Sequence, residues 1–143
     1  QSLWPQGFSE SWRFVQGPEN HDIVYNGREA RIARLGDPDH PRSWFARSRA
    51  RVATGLSLTA PGIPMLFMGQ EFLEDKQWSD DFVAHGNLLL YWAGLDQGDK
   101  QMLDHLRFIR ELLAVRRRCP AAGCPWADGD RPATPRSPAR RAT

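Results

Sequence analysis

The sequence predicts an α/β chain of two consecutive βα units, and three observations carry that reading. Two short apolar segments end in polar clusters, Glu19-Asn20-His21-Asp22 after the first and Gly69-Gln70-Glu71 after the second. Each is followed by a stretch with helical periodicity. The link from the first helix to the second strand is only about two or three residues, short for a loop. A strand, a crossover helix and a second strand imply parallel pairing with a right-handed crossover, because a hairpin turn cannot span such a connection.

Trp12 to Gln16 reads as the first strand, ended by Gly17-Pro18. The first long helix is expected from Ser43 to Ala60, started by Asp37-Pro38-Asp39-His40-Pro41 and stopped by Pro61-Gly62. Its apolar face reads as Phe45, Val52 and Leu56, flanked by Ala46, Ala53 and Ala60, which are small enough to approach a sheet closely. Arg47, Arg49 and Arg51 project elsewhere. Ile63 to Met68 is apolar without alternation, which suits a strand covered on both faces. Lys100 to Arg118 predicts the second helix, with Met102, Leu106, Ile109 and Leu113 on one side and Phe108, Leu112 and Val115 reinforcing it. Arg116, Arg117 and Arg118 suit the negative end of its dipole. The loops after the two strands, residues 17–41 and 69–99, are long, and long loops in compact domains are usually functional or disordered.

With 143 residues, 41% hydrophobic and 25% charged, the composition is globular. The chain is too short for a complete eight-stranded α/β barrel, which needs about 250 residues. Its longest apolar run falls far short of the roughly 20 residues that cross a bilayer, and no signal-like start opens it, so a cytoplasmic protein without a membrane partner is expected. Cys119 and Cys124 have neither a second pair nor a nearby histidine, which argues against a zinc site or disulfide framework. The whole net charge of +2 sits in the last 25 residues, which hold four Arg, two Asp and five of the eleven prolines. Residues 121–143 therefore read as a disordered Pro/Arg/Ala-rich tail. Pro135-Arg136-Ser137-Pro138 has polyproline-ligand spacing, but four arginines without interleaved aromatics describe a solvated tail, and no nucleic-acid partner is expected.

In parallel α/β architectures the C-terminal edge of the strands is where ligands bind. That edge would receive His21, Asp22, Gln70, Glu71, Trp78 and Asp80, with aromatic surface from Tyr25, Trp44 or Trp92. Carboxylates and amides exchange hydrogen bonds with vicinal hydroxyls, and flat rings cover the C–H face of a pyranose. Structural roles compete at each position. His21 can cap backbone carbonyls, Asp22 can cap a helix or turn, Gln70 and Glu71 can anchor their loop, and Trp78 can pack it. A metal-dependent phosphohydrolase using His21 and Asp22 with His40, Asp37 and Asp39 would need helices where Pro18, Pro38 and Pro41 break the chain.

Glu19-Asn20-His21-Asp22, followed by the run from Arg47 through Pro61-Gly62-Ile63-Pro64 and Gly69-Gln70-Glu71 to Asp80, resembles the seventh and eighth βα units of the α-amylase superfamily barrel. The pattern is most similar to that of 1,4-α-glucan (glycogen) branching enzymes and covers about residues 12–120. The resemblance implies a partial (β/α)8 TIM barrel over residues 1–120, needing the rest of the barrel and acting on α-glucan. It implies that Asp22 stabilises the oxocarbenium-like transition state and that His21 binds hydroxyls beside it. Asn20, Gln70, Glu71 and Trp78 are the implied substrate-binding residues, and no metal or cofactor is implied. The superfamily is retaining, with a carboxylate nucleophile and an acid/base about 5 Å apart. Those two belong to the fourth and fifth strands, which have no counterpart here, so the chain alone is expected to be inactive. The family continues past Pro120 into an all-β domain, and the Pro/Arg/Ala-rich sequence found instead reads as a truncation or frame shift. An α-amylase-type hydrolase, a maltooligosyltrehalose trehalohydrolase and a non-catalytic glucan-binding remnant are the alternatives.

Overall fold

Two short strand segments run side by side in the same direction. β1, Val15–Gln16, pairs in parallel with β2, Ile63–Pro64, with Val15 opposite Ile63 and Gln16 opposite Pro64. The computed structural model describes residues 6–7, 9–10, 13–25 and 31–118. Trp12, the cysteine pair and the tail 121–143 expected to be disordered lie outside the described residues. Ile63 N donates to Phe14 O at 2.9 Å and Met65 N to Gln16 O at 2.8 Å. The ladder is shorter than Trp12 to Gln16 and Ile63 to Met68 because its later groups are engaged elsewhere. Pro64 has no N–H to give, the Phe67 N–H goes to the Gln70 side chain, and the Met68 carbonyl accepts from Arg31. Gly17 admits β2 closely, since a Cβ there would lie 2.5 Å from the Met65 carbonyl oxygen.

The first long loop is not structureless. It contains α1, His21–Val24, and α2, Ile32–Gly36. α3, Trp44–Thr59, follows, with Ser43 accepting from Ala46 N at 3.1 Å and itself donating to Asp37 at 2.7 Å. Its buried stripe is Ala46, Ala50, Thr54 and Leu58, not the predicted Phe45, Val52 and Leu56, which are 58%, 64% and 51% exposed. The reason is steric. A Cβ on Gly36 of α2 would come within 3.0 Å of the Ala46 Cα, so α2 meets α3 nearly backbone to backbone and only small side chains fit between them. Ile32, Ala33, Ala50 and Leu73 form the core there, with Ala53 against it.

The second long loop carries 3-10 turns at Gln70–Phe72 and Gly86–Leu88 and the short helix α4, Trp92–Asp96. α5, Lys100–Arg118, begins where Asp99 accepts from Gln101 N and Met102 N. Its buried residues are Met102, His105, Ile109 and Arg116, with Leu106 and Leu113 only partly covered. Arg116, in the last turn of α5, reaches beyond its own helix. Its guanidinium donates to the carbonyls of Leu58, Ala60 (3.0 Å) and Gly62 (2.7 Å), closing the end of α3 and the turn into β2. Val15 and Ile63, 60% and 41% exposed, leave one side of the strand pair open. No helix among the described residues is long and apolar enough to cross a membrane. The architecture is a mixed α/β arrangement, mostly helical, on a two-stranded parallel sheet.

Candidate functional site

The chain leaves β1 through Glu19, which is buried. Glu19 accepts from Arg31 Nε at 2.8 Å and from Ile32 N at 2.5 Å, while Arg31 Nη2 donates to Met68 O at 2.9 Å. One buried guanidinium thus ties the exit of β1 to the exit of β2. Burial pushes the Glu19 carboxyl upward, against the charge of Arg31 and the hydrogen bonds from Ile32 and Arg31. Asn20 is extended, at φ −153° and ψ 173°, and its side chain accepts from Ile23 N at 2.9 Å. That cap starts α1 and sets His21 and Asp22 in its first turn, where their side chains are 64% and 79% exposed. His21 Nε2 lies 3.5 Å from Asp22 Oδ1.

A line of rings connects the buried pair to these two residues. The Arg31 guanidinium lies 5.2 Å from the Phe67 ring centroid, Phe67 meets Trp78 nearly perpendicularly at 5.9 Å, and Trp78 meets His21 at 6.1 Å and Tyr25 at 5.9 Å. Trp78 N donates to Val24 O at 3.3 Å, and the Tyr25 hydroxyl donates to Asp80 at 3.1 Å. His21, Asp22, Tyr25, Trp78 and Asp80 together line an open depression of about 260 Å³. Two exposed polar groups beside two aromatic faces suit a ligand with both hydroxyls and C–H surface.

The other predicted residues are placed differently. Gln70 is buried, accepting from Phe67 N at 3.2 Å and donating to Thr54 at 3.3 Å, so its amide is occupied within the fold. Glu71 is half-buried in the adjoining 3-10 turn. Asn20 uses its side-chain oxygen as a helix cap. Trp92 packs on Phe72 and Trp44 on Phe45, outside the depression. Asp37 accepts from His40 N and from Ser43, which makes it the turn that launches α3. Among the described residues no three His, Cys, Asp or Glu side chains are grouped to hold a metal ion.

Arg31 and Glu74 escaped the sequence reading, as did the buried supporting role of Glu19. Glu74 is buried and accepts from Asp75 N, Lys76 N and, at 2.8 Å, Tyr91 N, which fixes the loop carrying Trp78. Burial acts upward on its carboxyl, but the bonds from Tyr91 and Lys76 and the Lys76 charge outweigh that and hold it below the ordinary range. Arg31 stands between Ala30 and Ile32 and Glu74 follows Leu73 in the sequence, but a charged side chain beside apolar neighbours is common on surfaces as well.

Comparison with known proteins adds the family. The 1,4-alpha-glucan branching enzyme GlgB of Rhizobium meliloti (strain 1021) is 33% identical over 113 residues, covering 79% of this chain and 14% of the relative. That of Paramagnetospirillum magneticum is 32% identical over 120 residues, covering 78% and 14%, and GlgB 1 of Streptomyces coelicolor is 31% identical over 125 residues, covering 79% and 15%. The chain is homologous to a segment of the 1,4-alpha-glucan branching enzymes. It spans about 14–15% of the length of these branching enzymes. No family model matches the chain, and no solved structure does.

Proposed function

We propose that residues 1–120 are the seventh and eighth βα units of a retaining α-amylase-type barrel that transfers segments of α-1,4-glucan into α-1,6 branches. The observation that carries the proposal is the meeting of His21, Asp22 and Trp78 in one depression beside a parallel strand pair. The named activity of the relatives supports branching over the hydrolytic alternatives. In this reading Asp22 accepts from hydroxyls of the sugar under attack, and these bonds strengthen as its ring flattens toward an oxocarbenium ion. His21 binds the neighbouring hydroxyl, and Trp78 with Tyr25 covers the ring's C–H face. Asn20 holds α1 so that both polar groups face the ligand, Gln70 anchors the loop after β2, and Glu71 contributes at the rim. The nucleophile and acid/base come from other strands of the barrel, and no cofactor or metal takes part.

Calorimetric titration of the 143-residue chain with maltotriose tests the reading. Measurable affinity is expected, abolished by Asp22→Ala and by Trp78→Ala with the circular dichroism spectrum unchanged. Absence of affinity in the parent chain, or equal affinity in all three, overturns it.

A further inference from the structure

We infer that Arg31, paired with Glu19, is a positioning residue for the depression at His21 and Trp78: it clamps the chain after β2, braces the Phe67 ring, and thereby sets the Trp78 ring against His21. What this does for a sugar rests on the α-glucan reading above. Arg31 and Glu19 are each 1% exposed, so neither meets a ligand. Arg31 acts on Phe67 in two ways. Its Nη2 donates to the carbonyl of Met68, the next residue, which holds the Phe67 backbone, and its guanidinium carbon lies over the Phe67 ring, 5.2 Å from the centroid, which holds the ring. Phe67 then stands almost perpendicular to Trp78, at 82° and 5.9 Å, and Trp78 meets His21 at 72° and 6.1 Å. Phe67 and Trp78 are only half-buried, so their rings depend on such directed contacts more than on enclosure.

Stability is a poor account of the pair. Taking two charges out of water offsets most of their attraction, and apolar side chains of similar volume are commonly as stable. Arg31 Nη1 is also buried without a hydrogen-bond partner among the described residues. What an apolar pair would lack is direction. A planar guanidinium donates along fixed axes to Glu19 and to the Met68 carbonyl while it covers a ring, a combination that the point charge of a lysine does not reproduce. Glu19 accepts from Arg31 Nε with one oxygen and from Ile32 N with the other, so the guanidinium and the backbone beside it are fixed together. The exits of both strands, and the ring contacts that end at His21, are thus arranged before a ligand arrives, which lowers the ordering cost of binding.

Three measurements on the 143-residue chain and its Glu19→Leu/Arg31→Met double variant test the inference: urea unfolding, maltotriose calorimetry where every variant is fully folded, and the nuclear Overhauser contact between the Trp78 and His21 rings. The double variant is expected to approach the stability of the parent, yet to bind maltotriose about tenfold more weakly and to lose the ring contact. Arg31→Lys, which keeps the charge, should lose affinity as well. Phe67→Leu, which leaves the ion pair in place, should do the same, and these two single variants decide the matter if the double variant does not fold. Parent-like affinity in a folded double variant, in Arg31→Lys or in Phe67→Leu overturns the positioning role and leaves the α-glucan reading standing. If the parent chain binds no maltotriose, the α-glucan reading fails and the ring contact alone decides. Its loss in the double variant and in Arg31→Lys then sustains the positioning role, and its persistence overturns it.

Discussion

At the scale of single residues, Asp22 and His105 are opposite cases, one exposed at the strand ends and one sealed beneath α5. A charge-assisted hydrogen bond from Asp22 to a sugar hydroxyl is worth roughly 1.5–3 kcal/mol, and each factor of ten in rate needs about 1.4 kcal/mol. In an enzyme that carries this segment within a complete barrel, Asp22→Ala should lower turnover about a hundredfold with an unchanged melting temperature; unchanged turnover removes its proposed role. His105 is fully buried, and neither ring nitrogen has a hydrogen-bond partner among the described residues. Burial, helped by the Arg51 charge and opposed by Asp104, lowers its pKa from 6.5 to about 4. The folded chain keeps this imidazole neutral where the unfolded chain takes up a proton. Its contribution to stability is full above pH 6.5, is lost between pH 6.5 and about 4 by about 3 kcal/mol, and changes no further below. Urea unfolding of the chain and of His105→Leu at pH 7 and pH 4 measures this, and an identical acid response in both assigns the loss to other groups. That His21, Asp22 and Trp78 come to one edge was legible in the sequence, because each lies in a segment that follows a strand. His105 was not, since an imidazole on an otherwise apolar helix face reads as an interruption of the stripe.

At the scale of elements, the helix boundaries were legible and the packing faces were less so. The expected Ser43 to Ala60 and Lys100 to Arg118 became Trp44–Thr59 and Lys100–Arg118, because proline punctuation and a capping serine act locally. The choice of face on α3 failed because periodicity scores the large apolar residues, whereas the close approach of α2 selects the small ones. α1, α2 and α4 are too short to carry a readable period. The joint between the strands was also invisible, since Glu19 and Arg31 meet from positions with no regular spacing. Arg31→Met leaves the Glu19 carboxylate buried without its partner and should cost about 3–5 kcal/mol in urea unfolding. The Glu19→Leu/Arg31→Met double variant should regain most of that loss, and a double variant as unstable as the single one would show that the ion pair is not the source.

At the scale of the whole molecule, the described residues combine a settled interior with uncovered apolar surface. Trp44, Phe45, Val52 and Leu56 stand exposed on α3, and Val15 and Ile63 on the strand pair. Apolar surface of this kind marks contact with further protein, as the proposed barrel would supply. The 143-residue chain expressed alone should therefore self-associate in sedimentation and produce no α-1,6 linkages from amylose. Branching by a monodisperse monomer would contradict both expectations. The grip of Arg116 on Leu58, Ala60 and Gly62 sets a further limit, on how this stretch can change in length. Adding one residue to α5 upstream of Arg116 would swing the guanidinium by about 100° and advance it about 1.5 Å, away from all three acceptors. Insertions and deletions should thus be tolerated in the exposed 81–87 loop and rejected between Lys100 and Arg116, where the helix works as a ruler for the turn that launches β2.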